Sequence, residues 1–285
     1  MRVLVLCPPN ITAPNGGPCG VLGDRLHQLP SLRACRRLFP EVVIWPRDPI
    51  TEQIFGGPFL ADETEFDRAI CLFADPAQRP ADCAQLVEAV AIARRVATSR
   101  CLLPARIDPR GERPVWRQLL DCIAPADDLT LPVYVPSEAA KTWAARFLTR
   151  IARDREVLLL SPFSGAPKYT VSREWWRALA GAFAPGIVLV PVQESEEPAA
   201  AEFFRGVDNV VIVVADIPQT AALAATPGLP VIGTDGGRLT LMAAARSEPV
   251  TGLFGLWPAS AWAFPNVLAG DPRSTPEEAL RNLSR

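Results

Sequence analysis

Asp24 is the acid in this sequence that is best placed to do chemistry. It lies in the glycine-rich stretch NGGPCGVLGDRLHQLP, from Asn15 to Pro30, where leucines at helical spacing follow it. A carboxylate at such a strand-to-helix turn can remove a proton from a hydroxyl group. It can equally act as an N-cap that accepts hydrogen bonds from the first helical amides, which is the commoner use of an aspartate. Spacing alone favours the cap and leaves the base open.

The glycines of the same stretch are a poor match to a dinucleotide-binding fingerprint. That fingerprint needs its glycines at the strand-to-helix turn, whereas Gly16 and Gly17 lie several residues beyond the first apolar run. With Asn15 they form an insert beside the helix. His27, the single histidine, comes one turn into that helix, where a histidine beside leucines is more often packed than catalytic. It contacts a ligand only if its face lines a cleft.

Two later turns have residues suited to phosphate. In SPFSGAPKYTVSREWWRAL, which begins at Ser161, the candidates Ser164, Gly165 and Lys168 can offer hydroxyl, backbone and ammonium donors. Lys168 is one of only two lysines. A polar loop leading to a helix explains this stretch about as well.

The second of these turns lies in PVIGTDGGRLTLMAAARSEPVTGLFG, which begins at Pro230. Here a strand delivers Asp235, Gly236 and Gly237 to a helix N-terminus, where main-chain amides can bind an anion. A helix cap with a glycine turn accounts for it equally well.

The elements that position these residues alternate between short apolar strands and helical patterns, which is typical of parallel sheets in α/β proteins. The alternation restarts after a proline-rich stretch, Ala124 to Ala140. We therefore expect two tandem Rossmann-like domains, residues 1–136 and 137–285, with the last helix able to pack back on the first. Ligands of such domains bind beyond the carboxyl ends of strands, so a cleft between the domains is the expected site. The predicted strands begin at Val3, Val42, Ala69, Cys101, Val157, Ile187, Val210, Pro230 and Pro249.

Composition excludes several classes of function. The net charge of −2 predicts no nucleic-acid partner, and no apolar run reaches the roughly 18 residues of a membrane span. MRVLVLCPPN lacks the features of a signal peptide. One histidine and seven scattered cysteines without CxxC spacing predict no metal site and reduced thiols. We expect a cytoplasmic protein.

Three motifs, in order, resemble those of the family 9 glycosyltransferases, the heptosyltransferases of GT-B architecture. GVLGDRLHQLPSLRACRRLFPEVVIW is similar to their Ser-Leu-Gly-Asp-x-x-His-x-Leu-Pro-Ala-Leu segment. SPFSGAPKYTVSREWWRAL looks like their Gly-x-x-x-x-Lys-x-Trp-Pro loop without the Trp-Pro. PVIGTDGGRLTLMAAARSEPVTGLFGLWPASAWAFP resembles their Asp-Thr/Ser-Gly-x-x-His segment, with the Leu-Phe-Gly and Trp-x-x-Pro elements that follow it.

The resemblance implies an inverting, metal-independent transfer of a sugar from a nucleotide diphosphate to a hydroxyl, with no cofactor. Asp24 would be the general base, and Lys168 would neutralise charge on the departing diphosphate. The resemblance places the other donor-binding positions at Ser164, Gly165, Glu194, Asp235, Gly236, Gly237 and Thr240. Solvation at the surface explains Glu194 nearly as well. Asn15, Gly16, Gly17 and His27 would lie on the acceptor side.

Two departures bear on the substrate. Thr240 stands where the family has histidine, and Gly236 replaces its Thr or Ser, so contacts to the family's usual donor, ADP-heptose, are expected to differ. The family's acceptors are lipopolysaccharide cores at the inner membrane, yet this chain is acidic, which favours a soluble acceptor. The alternatives are a non-catalytic nucleotide-sugar-binding protein of the same fold, a lipopolysaccharide core heptosyltransferase and a nucleotide-sugar epimerase; a single histidine argues against the epimerase.

Overall fold

The structure is a computed structural model in which the chain divides into two compact units. One comprises Met1–Thr130 with Ser260–Trp262, and the other comprises Leu131–Ala259 with Ala263–Arg285. The division falls slightly before Pro136, where the sequence places the domain boundary. The residues that the structure describes are 1–8, 11–12, 18–19, 21–61, 65–72, 84–97, 111–163, 171–255 and 258–283.

The first unit is built on a parallel sheet flanked by helices. The described strands are β1 (Arg2–Leu6), β2 (Ile11–Thr12), β3 (Pro18–Cys19), β4 (Glu41–Trp45) and β5 (Arg68–Cys71). The described helices are α1 (Val21–Leu38), α2 (Pro49–Phe55), α3 (Ala84–Val96) and α4 (Val115–Asp121). Of these strands, three form a parallel sheet in the order β4-β1-β5, and β2 pairs antiparallel with β3.

Strand β1 is the central strand because β4 and β5 pair with its two edges. Val3 to Leu6 are fully buried, which matches the near-continuous apolar run typical of a parallel sheet. Leu4 and Leu6 join the core that includes Ile92 of α3. α1 packs against α2 and α4. The strand predicted around Cys101 lies outside the described residues.

The second unit contains a larger parallel sheet. Its described strands are β6 (Val157–Ser161), β7 (Ile187–Val192), β8 (Val210–Val214), β9 (Val231–Thr234), β10 (Val250–Leu253) and β11 (Val267–Gly270). The described helices after Thr130 are α5 (Glu138–Ala152), α6 (Arg173–Ala182), α7 (Glu197–Phe203), α8 (Ile217–Ala224), α9 (Gly237–Ala244), α10 (Ala259–Trp262) and α11 (Pro276–Leu283).

The strand order of this sheet identifies the edge at which a ligand would bind. In the described part of the chain the order is β11-β10-β9-β6-β7-β8, with all pairs parallel. This is the doubly wound order, in which the direction of winding reverses between the first and fourth strands, here β6 and β9. Ligands of such sheets bind beyond the carboxyl ends of the strands at this reversal. The predicted α/β class with two tandem parallel-sheet domains is confirmed.

The last helix packs in the second unit, whereas the sequence allowed it to pack back on the first. The last helix, α11, packs on α6, and its Ala279 joins the core around Trp176 in the second unit. It carries Leu280 and Leu283 against the same core, so its apolar face is already covered there. Ser260–Trp262, and not the last helix, groups with the first unit. No helix among the described residues is long and apolar enough to cross a bilayer.

Candidate functional site

Asp24 lies in the first turn of α1 and is almost fully buried. The helix begins at Val21, so Asp24 does not occupy the N-cap position that spacing alone favoured. Only 1% of the residue is exposed. A carboxylate in a first helical turn is stabilised by the amides and by the positive end of the helix dipole. The structure therefore places Asp24 where a negative charge is tolerated away from water.

Gln28 attaches the polar face of α1 to the carboxyl edge of the first sheet. It follows Asp24 by one helical turn, so the two side chains share a face of the helix. Its Nε2 donates to the carbonyl oxygens of Pro8 and Leu72, at 2.8 Å each. These carbonyls come shortly after β1 and β5. The side chain of Gln28 is fully buried, so it joins the ends of two strands to the helix that carries Asp24.

Arg25 joins the same helical turn to α2. Its guanidinium is 1% exposed and donates from Nη2 to Asp48 Oδ2 at 3.3 Å and from Nε to Thr51 Oγ1 at 3.2 Å. Asp48 also accepts hydrogen bonds from the amide and hydroxyl of Thr51, at 2.8 and 2.6 Å. The buried cation is thus paired and hydrogen-bonded, the condition under which burial of a charge is tolerated. Arg25 and Gln28 together anchor the helical turn that carries Asp24.

His27 takes a packing role in this unit. It is fully buried, and its ring meets that of Trp262 edge to face, with centroids 5.2 Å apart. Burial lowers the pKa of His27 to about 3, so the imidazole is neutral at neutral pH. His27 is therefore unsuited to proton exchange or to direct contact with an acceptor in this conformation. Asn15, Gly16 and Gly17, the other residues predicted on the acceptor side, lie outside the described residues.

The cysteines near this network are unreactive in character. Cys7 and Cys35 are buried free thiols, and burial raises the pKa of each to about 12. Since the thiolate is the nucleophile and the metal ligand, neither is suited to such chemistry. No group of three or more His, Cys, Asp or Glu residues in the described ranges could hold a metal ion. Metal independence stays a prediction.

In the second unit, Asp235 links the turns that follow β9 and β10. Its carboxylate accepts from the Thr234 hydroxyl at 3.2 Å and from the Gly255 amide at 3.4 Å. Its own amide donates to the Leu253 carbonyl at 3.0 Å. Only 6% of Asp235 is exposed. Asp235 thus holds the shape of the glycine turn at the edge where the sheet reverses.

The glycine turn itself leads directly into α9. Gly236 has a φ of 151°, a conformation essentially reserved for glycine. α9 then begins at Gly237. Thr240 donates from its hydroxyl and its amide to the Gly236 carbonyl, at 2.9 and 3.0 Å. Thr240, which stands in the place of the family's histidine, therefore stabilises the turn by donating two hydrogen bonds to its main chain.

Glu196, two residues after the predicted Glu194, pairs with a basic residue at this edge, and donor binding by Glu194 stays a prediction. Both lie in the 3₁₀ turn Glu194–Glu196 after β7, but Glu194 is exposed. Glu196 accepts from the Gln193 amide at 2.8 Å and pairs with Arg238 of α9 at 2.5 Å. Sequence reasoning missed both Glu196 and Arg238. The Gln193–Glu196 capping spacing and a basic residue in the first turn of α9 are the signals that were available.

The loop after β6 is described only at its start. Ser161, the last residue of β6, is fully buried, and its Oγ has no hydrogen-bond partner among the described residues. Ser164, Gly165 and Lys168 lie outside those residues, so their predicted contacts to phosphate stay predictions.

Comparison with known proteins identifies the fold. No protein-family model matches the sequence, and no curated protein sequence matches it either. Solved structures do match. A family 9 glycosyl transferase from Veillonella parvula DSM 2008 superposes with a TM-score of 0.73 over 98% of this chain and 95% of that one, at 10% identity. The chain has the fold of the family 9 glycosyltransferases.

Two further solved structures support this conclusion. The E. coli ADP-heptose lps heptosyltransferase II gives a TM-score of 0.67 over 100% of this chain and 98% of its own, at 13% identity. An E. coli heptosyltransferase solved with ADP gives 0.58 over 100% and 99%, at 17% identity. At these identities the likeness is one of fold, and it extends over essentially the whole chain.

Proposed function

We propose that this protein is an inverting, metal-independent glycosyltransferase that transfers a heptose or related sugar from a nucleotide-diphosphate donor to a hydroxyl of a soluble acceptor. The observation that carries the proposal is the buried carboxylate of Asp24, in a helical turn that Gln28 and Arg25 attach to the carboxyl edge of the first sheet. It occurs in a chain whose entire length has the fold of glycosyltransferases. Asp24 is also the residue that the sequence resemblance assigns as the base.

In the proposed reaction Asp24 accepts the proton of the acceptor hydroxyl. The acceptor oxygen forms a bond to the anomeric carbon while the bond from that carbon to the diphosphate breaks. The diphosphate leaves with the electron pair, and attack from the opposite face inverts the anomeric centre through an oxocarbenium-like transition state. The network around Arg25 and Gln28 supports this role because it anchors the helical turn from which Asp24 projects, and a site on a rigid element is held more precisely.

The second unit is proposed to bind the donor. Gly236 and Gly237 stand at the N-terminus of α9, where main-chain amides favour an anion and the two glycines present no side chain of their own. Asp235 holds that turn in shape. Lys168, with Ser164 and Gly165, is proposed to supply further donors to the diphosphate.

The choice of a soluble acceptor rests on charge, and the cytoplasmic location rests on the scattered cysteines, which are expected to be reduced. A net charge of −2 provides no general attraction to anionic lipid. One of the comparison proteins is named as a lipopolysaccharide heptosyltransferase, so a lipopolysaccharide acceptor is the alternative within the same chemistry.

A non-catalytic nucleotide-sugar-binding protein is the second candidate. The observation that favours it is Thr240, whose hydroxyl bonds to the Gly236 carbonyl and so presents no imidazole to a ligand. Such a protein would bind the donor without releasing nucleoside diphosphate when acceptors are supplied.

Donor binding is tested by calorimetric titration with ADP, UDP, GDP and ADP-heptose. We expect at least one of them to bind the wild type and to raise its melting temperature. Gly236→Ala should weaken that binding about tenfold, since a side chain at this φ is strained by roughly 1–3 kcal/mol and distorts the turn.

Gly228→Ala is the matched control. Gly228 also has a positive φ, 73°, in open surroundings of the same unit, but it lies in the turn before β9. This variant should lose stability while retaining the wild-type affinity. The absence of binding by every nucleotide would refute the proposal, and equal weakening by the two substitutions would remove the glycine turn from the site.

A further inference from the structure

We propose that Arg238 is a binding residue for the diphosphate of the donor and that Glu196 holds its guanidinium until the diphosphate binds. This inference rests on the proposed function, which it extends by a residue that neither the sequence motifs nor the fold comparison assigns. Arg238 pairs with Glu196 in this structure. On donor binding the guanidinium would exchange this carboxylate for phosphate oxygens.

The position of the pair is the first argument. β7 and β9 are the two neighbours of β6 in the sheet. Glu196 lies in the turn after β7, and Arg238 lies in the first turn of the helix after β9. The ion pair therefore joins the loop after β7 to the start of the helix after β9, on either side of β6. This is the edge where the winding of the sheet reverses and where doubly wound folds bind their ligands.

Glu196 is more exposed than Arg238, which favours the replacement of its carboxylate by a phosphate. The Arg238 side chain is 13% exposed, whereas that of Glu196 is 39% exposed. When the pair separates, the Glu196 carboxylate can be hydrated and can retain its bond from the Gln193 amide. The guanidinium is largely shielded from water, so it requires a new anionic partner. A diphosphate offers more charge than one carboxylate and accepts two parallel hydrogen bonds from the planar guanidinium.

Helix stability does not explain an arginine at this point. Arg238 follows Gly237 directly, in the first turn of α9. The helix dipole places positive charge there, which disfavours a cation and favours an anion. The ion pair with Glu196 contributes little to the stability of this helix end, because the partly exposed carboxylate is screened by water. An anionic ligand at the same helix end would be attracted by both the dipole and the guanidinium.

Ser161 is an independent indication of a ligand. It ends β6, between the elements that the pair connects, and its hydroxyl is fully buried without a hydrogen-bond partner among the described residues. The Ser161 Cβ lies on the face of the sheet that Leu239 of α9 covers, because a Cβ placed on Gly233 would lie 3.0 Å from Ser161 Cβ and 3.3 Å from Leu239 Cδ1. A buried hydroxyl without a partner is unfavourable. A phosphate oxygen near the start of α9 would accept its hydrogen bond.

The test is calorimetric titration of the full chain with inorganic pyrophosphate, and in parallel with ADP, UDP and GDP. Arg238→Ala should weaken the binding of pyrophosphate and of the preferred nucleotide about tenfold to a hundredfold, as expected for loss of charge-assisted hydrogen bonds. Glu196→Gln should strengthen binding about threefold or more, because the competing carboxylate is neutralised. Arg238→Lys should bind with intermediate affinity, since it retains the charge without the planar fork.

The control is Arg205→Ala, which removes an arginine that pairs with Glu202 elsewhere in the same unit. It changes the net charge equally and should leave the affinity unchanged. Circular dichroism and melting temperature establish that each variant is folded. If the wild type binds a nucleotide and Arg238→Ala binds it as tightly, or if Glu196→Gln weakens binding as Arg238→Ala does, the inference is overturned while the proposed function stands. If the wild type binds neither pyrophosphate nor any nucleotide, both fail.

Discussion

The carboxyl edges of the two sheets are organised in opposite ways. At the first, Gln28 and Arg25 satisfy their hydrogen bonds within the protein, through the Pro8 and Leu72 carbonyls, Asp48 and Thr51. At the second, a glycine turn adjoins an ion pair whose carboxylate is partly exposed.

The difference has a functional meaning. Buried polar groups that are fully satisfied make a structure rigid, which suits a fixed chemical group such as Asp24. Groups that bind a charged ligand must be able to change partners, which the Glu196–Arg238 pair can do more readily. Under the proposed function, the first unit would hold the base and the second would receive the anion.

The largest expected effect is the loss of turnover when Asp24, at the carboxyl edge of the first sheet, is replaced. Asp24→Asn preserves the shape of the side chain but cannot take up a proton, so we expect kcat for sugar transfer to fall about a thousandfold. The affinity for the nucleotide donor should change by less than about twofold, because the donor is assigned to the second unit. Release of nucleoside diphosphate from the donor, measured with an acceptor mixture, gives kcat, and titration gives the affinity.

Two results would contradict this division of roles. Wild-type turnover in Asp24→Asn would leave Asp24 as a structural residue of α1. A parallel loss of donor affinity would mean that the first edge also binds the donor.

A smaller effect is expected when the network at the first edge is broken. Gln28→Leu removes the donor from two buried carbonyls, and we expect the free energy of unfolding to fall by about 3 kcal/mol. Gln219→Leu is the matched control in the second unit. Gln219 caps α8 by accepting from the Asp216 amide at 3.0 Å and is only partly buried, so its loss should be about 1 kcal/mol or less. Urea unfolding of both variants measures the difference, and equal losses would show that the first edge is not especially rigid.

The smallest effect concerns the pH dependence of stability. The pKa of His27 is about 3 in the folded protein, below the ordinary value near 6.5, so the unfolded chain binds the proton more readily between these values. The stability is complete above pH 6.5 and declines as the pH falls toward 3. From pH 7 to pH 5 this amounts to about 2 kcal/mol.

His27→Phe should lack this part of the pH dependence, and urea unfolding at pH 7 and pH 5 compares it with the wild type. Because His27 is the single histidine, the imidazole contribution belongs entirely to the first unit. The same change in stability for both proteins over this range would show that His27 is not buried in its neutral form.

Local pattern was sufficient to predict most elements but not their ends. The apolar runs at Val3 and Val157 and the leucine spacing after Asp24 predicted strands and a helix that the structure contains. The start of α1 was placed too late, at Asp24 rather than Val21. α2 went unpredicted, although Asp48 before a proline is a signal for a helix start. Such short helices have too few residues for periodicity to be visible.

The sequence by itself determined the alternation of strands and helices, the glycine turn at Gly236 and the presence of an acid at Asp24, because these depend on residues close together in the chain. Only the tertiary structure decided which polar groups meet. Glu196 reaches Arg238 because β7 and β9 flank β6, and Gln28 reaches Leu72 because β5 lies beside β1. Strand order brings these distant residues together, and the spacing of residues along the chain carries no direct record of that order.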